Sequence, residues 1–443
     1  MSGVVEGGIV GDLSRIPEHL PGEPDRTGST GPALALRVLG RLLGMTLLAK
    51  VLLPLWLPYG ALVMAYGRPP NVPRWAQFRR YFGHAWGPSA PHPGTSLARR
   101  VWLTSELIRK AGVVPLWGSA WLLDELLYGR AMNAVAVREP LFEVSAARSG
   151  STQLARYLED DPALVAPSML QTLFPYRWLW KLVAATLGRF LTPDQVRAKV
   201  EHALPPEFVE RHELDPFRTD TFDVAIFGAH LNFLSLATGP AVAAEDFAMG
   251  RAAPQNRDMW ERDFPLLVDR LGRKCLLDAG PGHRLFVKGH FLAAAPALAS
   301  RFPDARFLTV VRKPATRLQS AINYMRSNPG DAALGPIPWA WLTAALVRTE
   351  LDYNEAELAW YTAPGPVRRC VVRFDDYVRD LGGTLDRVYR ECLDGTPPAS
   401  LPREHPPRKR TAYLLDRSLA QLQVDAAALE AANPAFLRWV TAD

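Results

Sequence analysis

The stretch from Pro140 to Asp160, PLFEVSAARSGSTQLARYLED, decides the fold, because an apolar run meets a small-residue turn and then an amphipathic helix. Pro140 to Ala147 has the apolar, β-branched character of a buried strand, and beyond it Leu154 and Leu158 stand one helical turn apart. Between them lies Arg148-Ser149-Gly150-Ser151-Thr152. At a helix N-terminus such a turn offers an anion backbone N–H groups without intrahelical partners, the positive end of the helix dipole, hydroxyls and one guanidinium. Taken alone, the same residues read equally well as a Ser/Gly turn capping a helix.

Two familiar phosphate loops do not fit. A Walker A loop requires Gly-Lys-Ser/Thr, and Ser151 holds the lysine's place after Gly150. The Rossmann pattern fails because the turn has one glycine and no acidic strand end follows at the required distance. A P-loop kinase or a dehydrogenase is disfavoured accordingly.

At 443 residues and 48% hydrophobic content the chain can bury at least one sizeable core. A formal net charge of +6 suits a phosphorylated ligand, an anionic membrane or a nucleic acid, and selects none of them. The three cysteines, Cys275, Cys370 and Cys392, have neither metal-type nor secreted-framework spacing, which predicts free thiols in a reducing compartment. The absence of any Asn-x-Ser/Thr acceptor agrees with a catalytic part that meets no glycosylating lumen.

Residues 1–32 are polar and lack apolar periodicity, which predicts a disordered tail without the pattern of a signal peptide. Residues 33–75 hold the most apolar stretch, with Arg37, Arg41 and Lys50 as the only charges up to Tyr66. Pro54 and Pro58 are expected to break a straight helix. Arginines flank both sides, so the segment reads as a membrane-associating element lying in the surface, with a true span and a buried core helix as the alternatives. Residues 76–138 read as a helical connection, with a second apolar run at Gly112–Leu123 too short to span. Residues 139–443 read as a further domain, which carries the Arg148–Thr152 turn.

Two further stretches resemble the first in architecture. In Phe302–Ser327, Ala305 to Val311 reads as a buried strand closed by Arg312, Pro314 suits a first helical turn, and Leu318, Ile322 and Met325 mark an apolar helix face. Arg312 and Ser320, eight residues apart, can converge on one phosphate. Upstream, Leu285-Phe286-Val287 delivers Lys288 and His290 to the same side of a strand, pairing a cation with a group that accepts a proton near neutral pH.

Together these three stretches resemble the sulfotransferase superfamily that uses 3′-phosphoadenosine 5′-phosphosulfate (PAPS), over roughly Pro140 to Leu415. Ala147-Arg148-Ser149-Gly150-Ser151-Thr152 is similar to the family's 5′-phosphosulfate loop, Arg312 with Ser320 to its 3′-phosphate signature, and Lys288-Gly289-His290 to the Lys-x-His motif of its cytosolic members. Phe374-Asp375-Asp376-Tyr377 is similar to its late strand-to-helix segment. Ala147 stands where the family has proline, Lys313 where an acidic or Asn residue is common, and Gln153 has no counterpart.

The resemblance implies an α/β fold with a central parallel sheet flanked by helices, preceded by the helical, membrane-associating region. It also implies sulfuryl transfer from PAPS as co-substrate, without a metal and without a nucleic-acid partner. In this reading His290 is the general base, Arg148 and Lys288 stabilise the leaving phosphate, and Ser149 to Thr152 hold the 5′-phosphosulfate. Arg312 and Ser320 hold the 3′-phosphate, and Arg408-Lys409-Arg410 close over the nucleotide. Other branches use a carboxylate base, for which Glu210, Glu213, Asp215, Asp220 and Asp223 are the alternatives. The apolar segment and the aromatic run Phe174–Trp180 point to a lipid or glycolipid hydroxyl as acceptor, reached at the cytoplasmic face of a membrane, with a small cytoplasmic acceptor as the alternative. A non-catalytic, nucleotide-binding scaffold of the same fold is the competing reading. The oligomeric state is not legible.

Overall fold

The computed structural model describes residues 8–17, 32–87, 97–186, 188, 190–203, 214–327, 337–406 and 417–442. Five short strands form its sheet: β1 (Leu141–Val144), β2 (Leu164–Val165), β3 (Arg284–Gly289), β4 (Arg306–Val311) and β5 (Arg368–Arg373). They pair in parallel in the order β2-β3-β1-β4-β5. The central strands β1 and β4 are buried at every position. That agrees with their continuous apolar runs, since a parallel sheet is covered on both faces.

The helices that position the site are, in chain order, α1 (Pro32–Leu52), α2 (Trp56–Tyr66), α3 (Trp75–Trp86), α4 (Leu97–Ala134), α5 (Ser151–Glu159), α6 (Asp223–Ala229), α7 (Phe264–Ala279), α8 (Pro314–Ser327), α9 (Trp339–Thr362) and α10 (Phe374–Arg379). β1 is shorter than the run Pro140–Ala147 because the chain leaves the ladder for the turn, although the Ser145 N–H still donates to the Gly289 carbonyl at 3.2 Å. Leu154 and Leu158 on α5 pack with Leu308 and Val310 of β4.

The regular α-helix of the apolar segment is interrupted at Pro54, as expected, without a reversal of the chain. Pro54 falls in the 3-10 turn Leu53–Leu55 that joins α1 to α2, and Pro58 sits in the first turn of α2, where a proline costs no intrahelical hydrogen bond. The result is one run of helix, Leu34–Tyr66, whose most apolar window is only 6% buried. It lies parallel to α4, since the neighbouring pairs Arg41–Glu106, Ala49–Gly112 and Tyr59–Gly118 ascend together. Gly112 and Gly118 permit the contact: a Cβ at Gly118 would sit 2.2 Å from the Tyr59 ring, and one at Gly112 would sit 2.8 Å from the Ala49 backbone. The other side of the helix presents Leu36, Leu39, Leu43, Leu47 and Val51 to the exterior at helical spacing.

Charge fastens this layer to the sheet-bearing part. Arg68 and Arg74 both donate to the buried Asp263 carboxylate, at 2.6 and 2.9 Å, and His230 Nε2 lies 3.1 Å from the same group. Gln77 of α3 reaches the other nitrogen of His230 at 3.0 Å. Removing one partner of such a buried cluster leaves an uncompensated charge, so the cluster ties the helices before β1 to the part that carries the sheet.

Two expectations are corrected. Residues 8–17, read as part of a disordered tail, are folded: Val10 bridges Val424, and Ile9, Val10 and Ile16 pack with Ile322 and Trp339. They are too few to show a period, yet they fill a gap in the core. Cys370 and Cys392, read as free thiols, form a disulfide with a Cα–Cα distance of 6.1 Å, and Cys275 alone remains a buried free thiol.

Candidate active site

The turn after β1 is built by two unusual backbone conformations. Arg148 has φ of 69° and Gly150 of 93°, both left-handed. Glycine accepts this at no steric cost, whereas Arg148 holds it with strain of order 1 kcal/mol, a feature that concentrates at functional sites. Gly150 is required a second time by space, since a Cβ there would lie 2.6 Å from the Phe374 ring at the start of α10. No side chain caps α5, whose N-cap is Gly150, so the N–H groups of its first turn have no side-chain cap. The Ser149 hydroxyl turns inward and donates to the Ala146 carbonyl at 2.7 Å, which leaves backbone and the residues around it to meet a ligand.

The structure brings the turn after β1 and the Arg312/Ser320 pair together. Arg148 Nε donates to Ser320 Oγ on α8 at 2.9 Å, and Arg312 donates to the Arg148 carbonyl at 3.0 Å. Each guanidinium is also steered by an aromatic ring, Arg148 over Tyr324 at 4.9 Å and Arg312 over Phe374 at 4.2 Å. Lys288 is 1% exposed, and its ammonium donates to Thr152 Oγ1 and Thr221 Oγ1, both at 3.0 Å. His290 meets the same Thr221 hydroxyl with Nε2 at 3.4 Å. Arg148, Thr152, Lys288, His290, Arg312 and Ser320 therefore form one constellation at the carboxyl ends of β1, β3 and β4, the edge where open α/β sheets bind ligands.

The tautomer of His290 follows from its neighbours. Nδ1 lies 2.8 Å from the Ser145 carbonyl, which can only accept, so Nδ1 carries the proton and Nε2 the lone pair. Burial pushes the ring below the ordinary histidine value, against the nearby Asp223 carboxylate, which raises it, so the neutral form prevails at neutral pH. Asp223 Oδ1 also accepts the His290 backbone N–H at 2.7 Å. Of the acidic residues weighed as alternative bases, Asp220 lies 3.8 Å from Lys288 and Asp223 holds His290. Asp215 instead pairs with Arg197, while Glu210 and Glu213 lie outside the described residues. Arg408, Lys409 and Arg410 lie outside them too.

Sequence reasoning missed Thr221, Ser145 and Glu143. Thr221 reaches the site from a separate segment, and no motif flags it. Glu143, buried in the middle of β1 opposite Lys288 in register, accepts from the Ser145 hydroxyl. A charged residue inside an otherwise apolar strand was the available signal. Burial pushes its carboxyl up to about 7, opposed by the Lys288 charge. A carboxyl whose folded pKa exceeds its unfolded value stabilises the fold below the unfolded pKa, near 4.5, and that stability is lost as pH rises through 7. Glu143→Gln is expected to remove a loss on the order of 3 kcal/mol between pH 4.5 and 8. Urea midpoints of wild type and variant across that range test this, and parallel curves would contradict it.

The sequence profile of the sulfotransferase family matches residues 140–393, more than half of the chain. The chain belongs to the sulfotransferase family. Among solved structures it is similar to the sulfotransferase STF9 from Mycobacterium avium, 16% identical, covering 87% of this chain and 96% of that one with a TM-score of 0.59. It is also similar to the sulfotransferase STF1 from Mycobacterium tuberculosis, 18% identical, covering 85% and 96% with a TM-score of 0.49. No curated protein sequence matches. The first likeness supports the sulfotransferase fold, and its coverage exceeds residues 139–443 alone, so helices before β1 belong to the shared architecture.

Proposed function

We propose that this sulfotransferase moves a sulfuryl group from PAPS to a lipid or glycolipid hydroxyl at a membrane surface, with His290 as general base. The observation that carries the reading is the unprotonated Nε2 of His290, held beside the buried ammonium of Lys288 by a shared threonine hydroxyl. A base and a cation placed together are what an in-line displacement at sulfur needs. Nε2 takes the acceptor proton as the acceptor oxygen bonds to sulfur, the bond from sulfur to the bridging phosphate oxygen breaks, and adenosine 3′,5′-bisphosphate leaves with the added charge. Lys288 and Arg148 would stabilise that charge, as cationic clamps do in phosphoryl transfer.

The first turn of α5 and Thr152 suit the 5′-phosphosulfate, and Arg312 with Ser320 the 3′-phosphate. The acceptor class rests on the apolar stripe of α1. Leu43 and Leu47 are 64% and 65% exposed, as the apolar face of an interfacial helix would be. With anionic vesicles carrying a host lipid extract, the protein is expected to co-float and to move labelled sulfate from PAPS into the lipid phase. The double variant Leu43→Glu with Leu47→Glu is expected to lose flotation and to lower lipid sulfation at least tenfold. Sulfation of water-soluble compounds alone would overturn the lipid reading, and no sulfation of any hydroxyl would favour the non-catalytic scaffold.

A further inference from the structure

Beyond the site constellation the molecule has a cleft of about 220 Å³ between the N-terminal helices and the part that carries the sheet. Its walls come from three places. Val113 and Trp117 of α4 form one side, the segment after α2 contributes Val72, and the opposite side is α6, with Val224 and Gly228. The aromatic run of the sequence closes one end, where Tyr176 stacks on Trp117 at 5.8 Å with planes 4° apart and Phe174 approaches the same ring at 6.3 Å. Lys110 spans the gap and donates to the Gly228 carbonyl at 3.2 Å, tying α4 to α6.

Two features separate this cleft from ordinary imperfect packing. First, it shares an element with the reaction centre. α6 begins at Asp223, which holds the His290 backbone, and the next residue, Val224, already lines the cleft. Helix rise makes all of α6 only about 10 Å long, so its far end lies within that distance of the base's anchor. Second, Gly228 is a gap in the wall: a Cβ built there meets no atom within 4 Å. The volume exceeds the roughly 150 Å³ of an apolar cavity that takes up benzene, and falls short of the roughly 300–1,000 Å³ of a site that encloses a whole drug-sized ligand. It therefore fits one apolar chain whose polar end remains outside. Trp117 and Phe174 at its rim are 36% and 40% exposed, and the cleft lies against the same helical layer that carries the uncovered apolar stripe of α1.

We propose that this cleft is the acceptor's tail site: it takes the apolar chain of an amphiphilic alcohol from the membrane side and sets its hydroxyl, at the chain's end or within about 10 Å of it, beside His290. This rests on the sulfuryl-transfer reading for the fate of the hydroxyl, but binding of the chain can be measured without turnover.

The probe is dodecanol carrying a terminal diazirine, photolysed with the full-length protein and mapped by mass spectrometry. Adducts are expected on Val113, Trp117 and Val224. Gly228→Leu, whose side chain enters the open space, is expected to reduce them at least tenfold, and Gly228→Ala by less. Adducts undiminished in Gly228→Leu, or confined to the exposed stripe of α1, would overturn the proposal. In parallel, the ratio of kcat/KM for dodecanol to that for butanol, with PAPS as donor, is expected to fall at least tenfold in Gly228→Leu. An unchanged ratio also overturns it. If the adducts behave as expected while no alcohol is sulfated, the tail site stands and the transfer reading fails.

Discussion

Replacing His290 by alanine is expected to slow sulfuryl transfer by roughly 10²- to 10⁴-fold, the usual contribution of a positioned base, while affinity for adenosine 3′,5′-bisphosphate stays within about twofold. The expectation rests on the fixed tautomer: Nδ1 is committed to the Ser145 carbonyl, so Nε2 has no proton to give and one to take. Because burial lowers the ring's pKa, the base stays deprotonated to below the ordinary value of 6.5, and the acid limb of kcat/KM falls below that pH. Asp223→Asn adds a signed test. Its carboxylate favours the imidazolium, so its removal moves the acid limb further down. A limb that moves up, or a His290→Ala enzyme that turns over at the wild-type rate, would transfer the role to a carboxylate, with Asp220 the candidate nearest Lys288.

What could be read from the chain alone was whatever sits in one contiguous strand–turn–helix unit. The run Pro140–Asp160 contains its own strand, turn residues and helix stripe, and Phe302–Ser327 contains a second set. The α/β fold was therefore legible, as was the convergence of Arg148 with Arg312 and Ser320. Contacts between distant segments were not. Thr221 lies in a stretch with no regular period, and the bonds from the Phe222 N–H to the Lys288 carbonyl, at 2.9 Å, and from the His290 N–H to Asp223 bring it under the ammonium. The bridge between Val10 and Val424 joins the two ends of the chain, and the disulfide joins β5 to a π-helical turn 22 residues later. None of these leaves a local pattern. The prolines interrupt the apolar helix, but only locally. A proline ends a helix only where its ring would displace a hydrogen bond, and here a 3-10 turn and a first helical turn absorb both.

Arg312→Ala is expected to weaken adenosine 3′,5′-bisphosphate by roughly 10- to 100-fold, the range of a lost charge-assisted contact, and to leave adenosine 5′-monophosphate nearly unaffected. The second ligand is needed because Arg312 also has structural duties. Its guanidinium lies over Phe374, the ring that fills the space Gly150 leaves open, and it donates to the carbonyl of strained Arg148. If alanine merely loosened that turn, both nucleotides would weaken together, because in the proposed reading both place a phosphate on the first turn of α5. If Arg312 holds the 3′-phosphate, the discrimination between the two collapses and the 5′-phosphate affinity survives. Lysine at the same position retains the charge but not the fork, so Arg312→Lys should recover part of the discrimination, and Ser320→Ala should remove a smaller share of it. Calorimetric titration of both nucleotides into the four proteins reads all of this directly. Equal losses for the two ligands, or no loss for either, would remove Arg312 from the 3′-phosphate site.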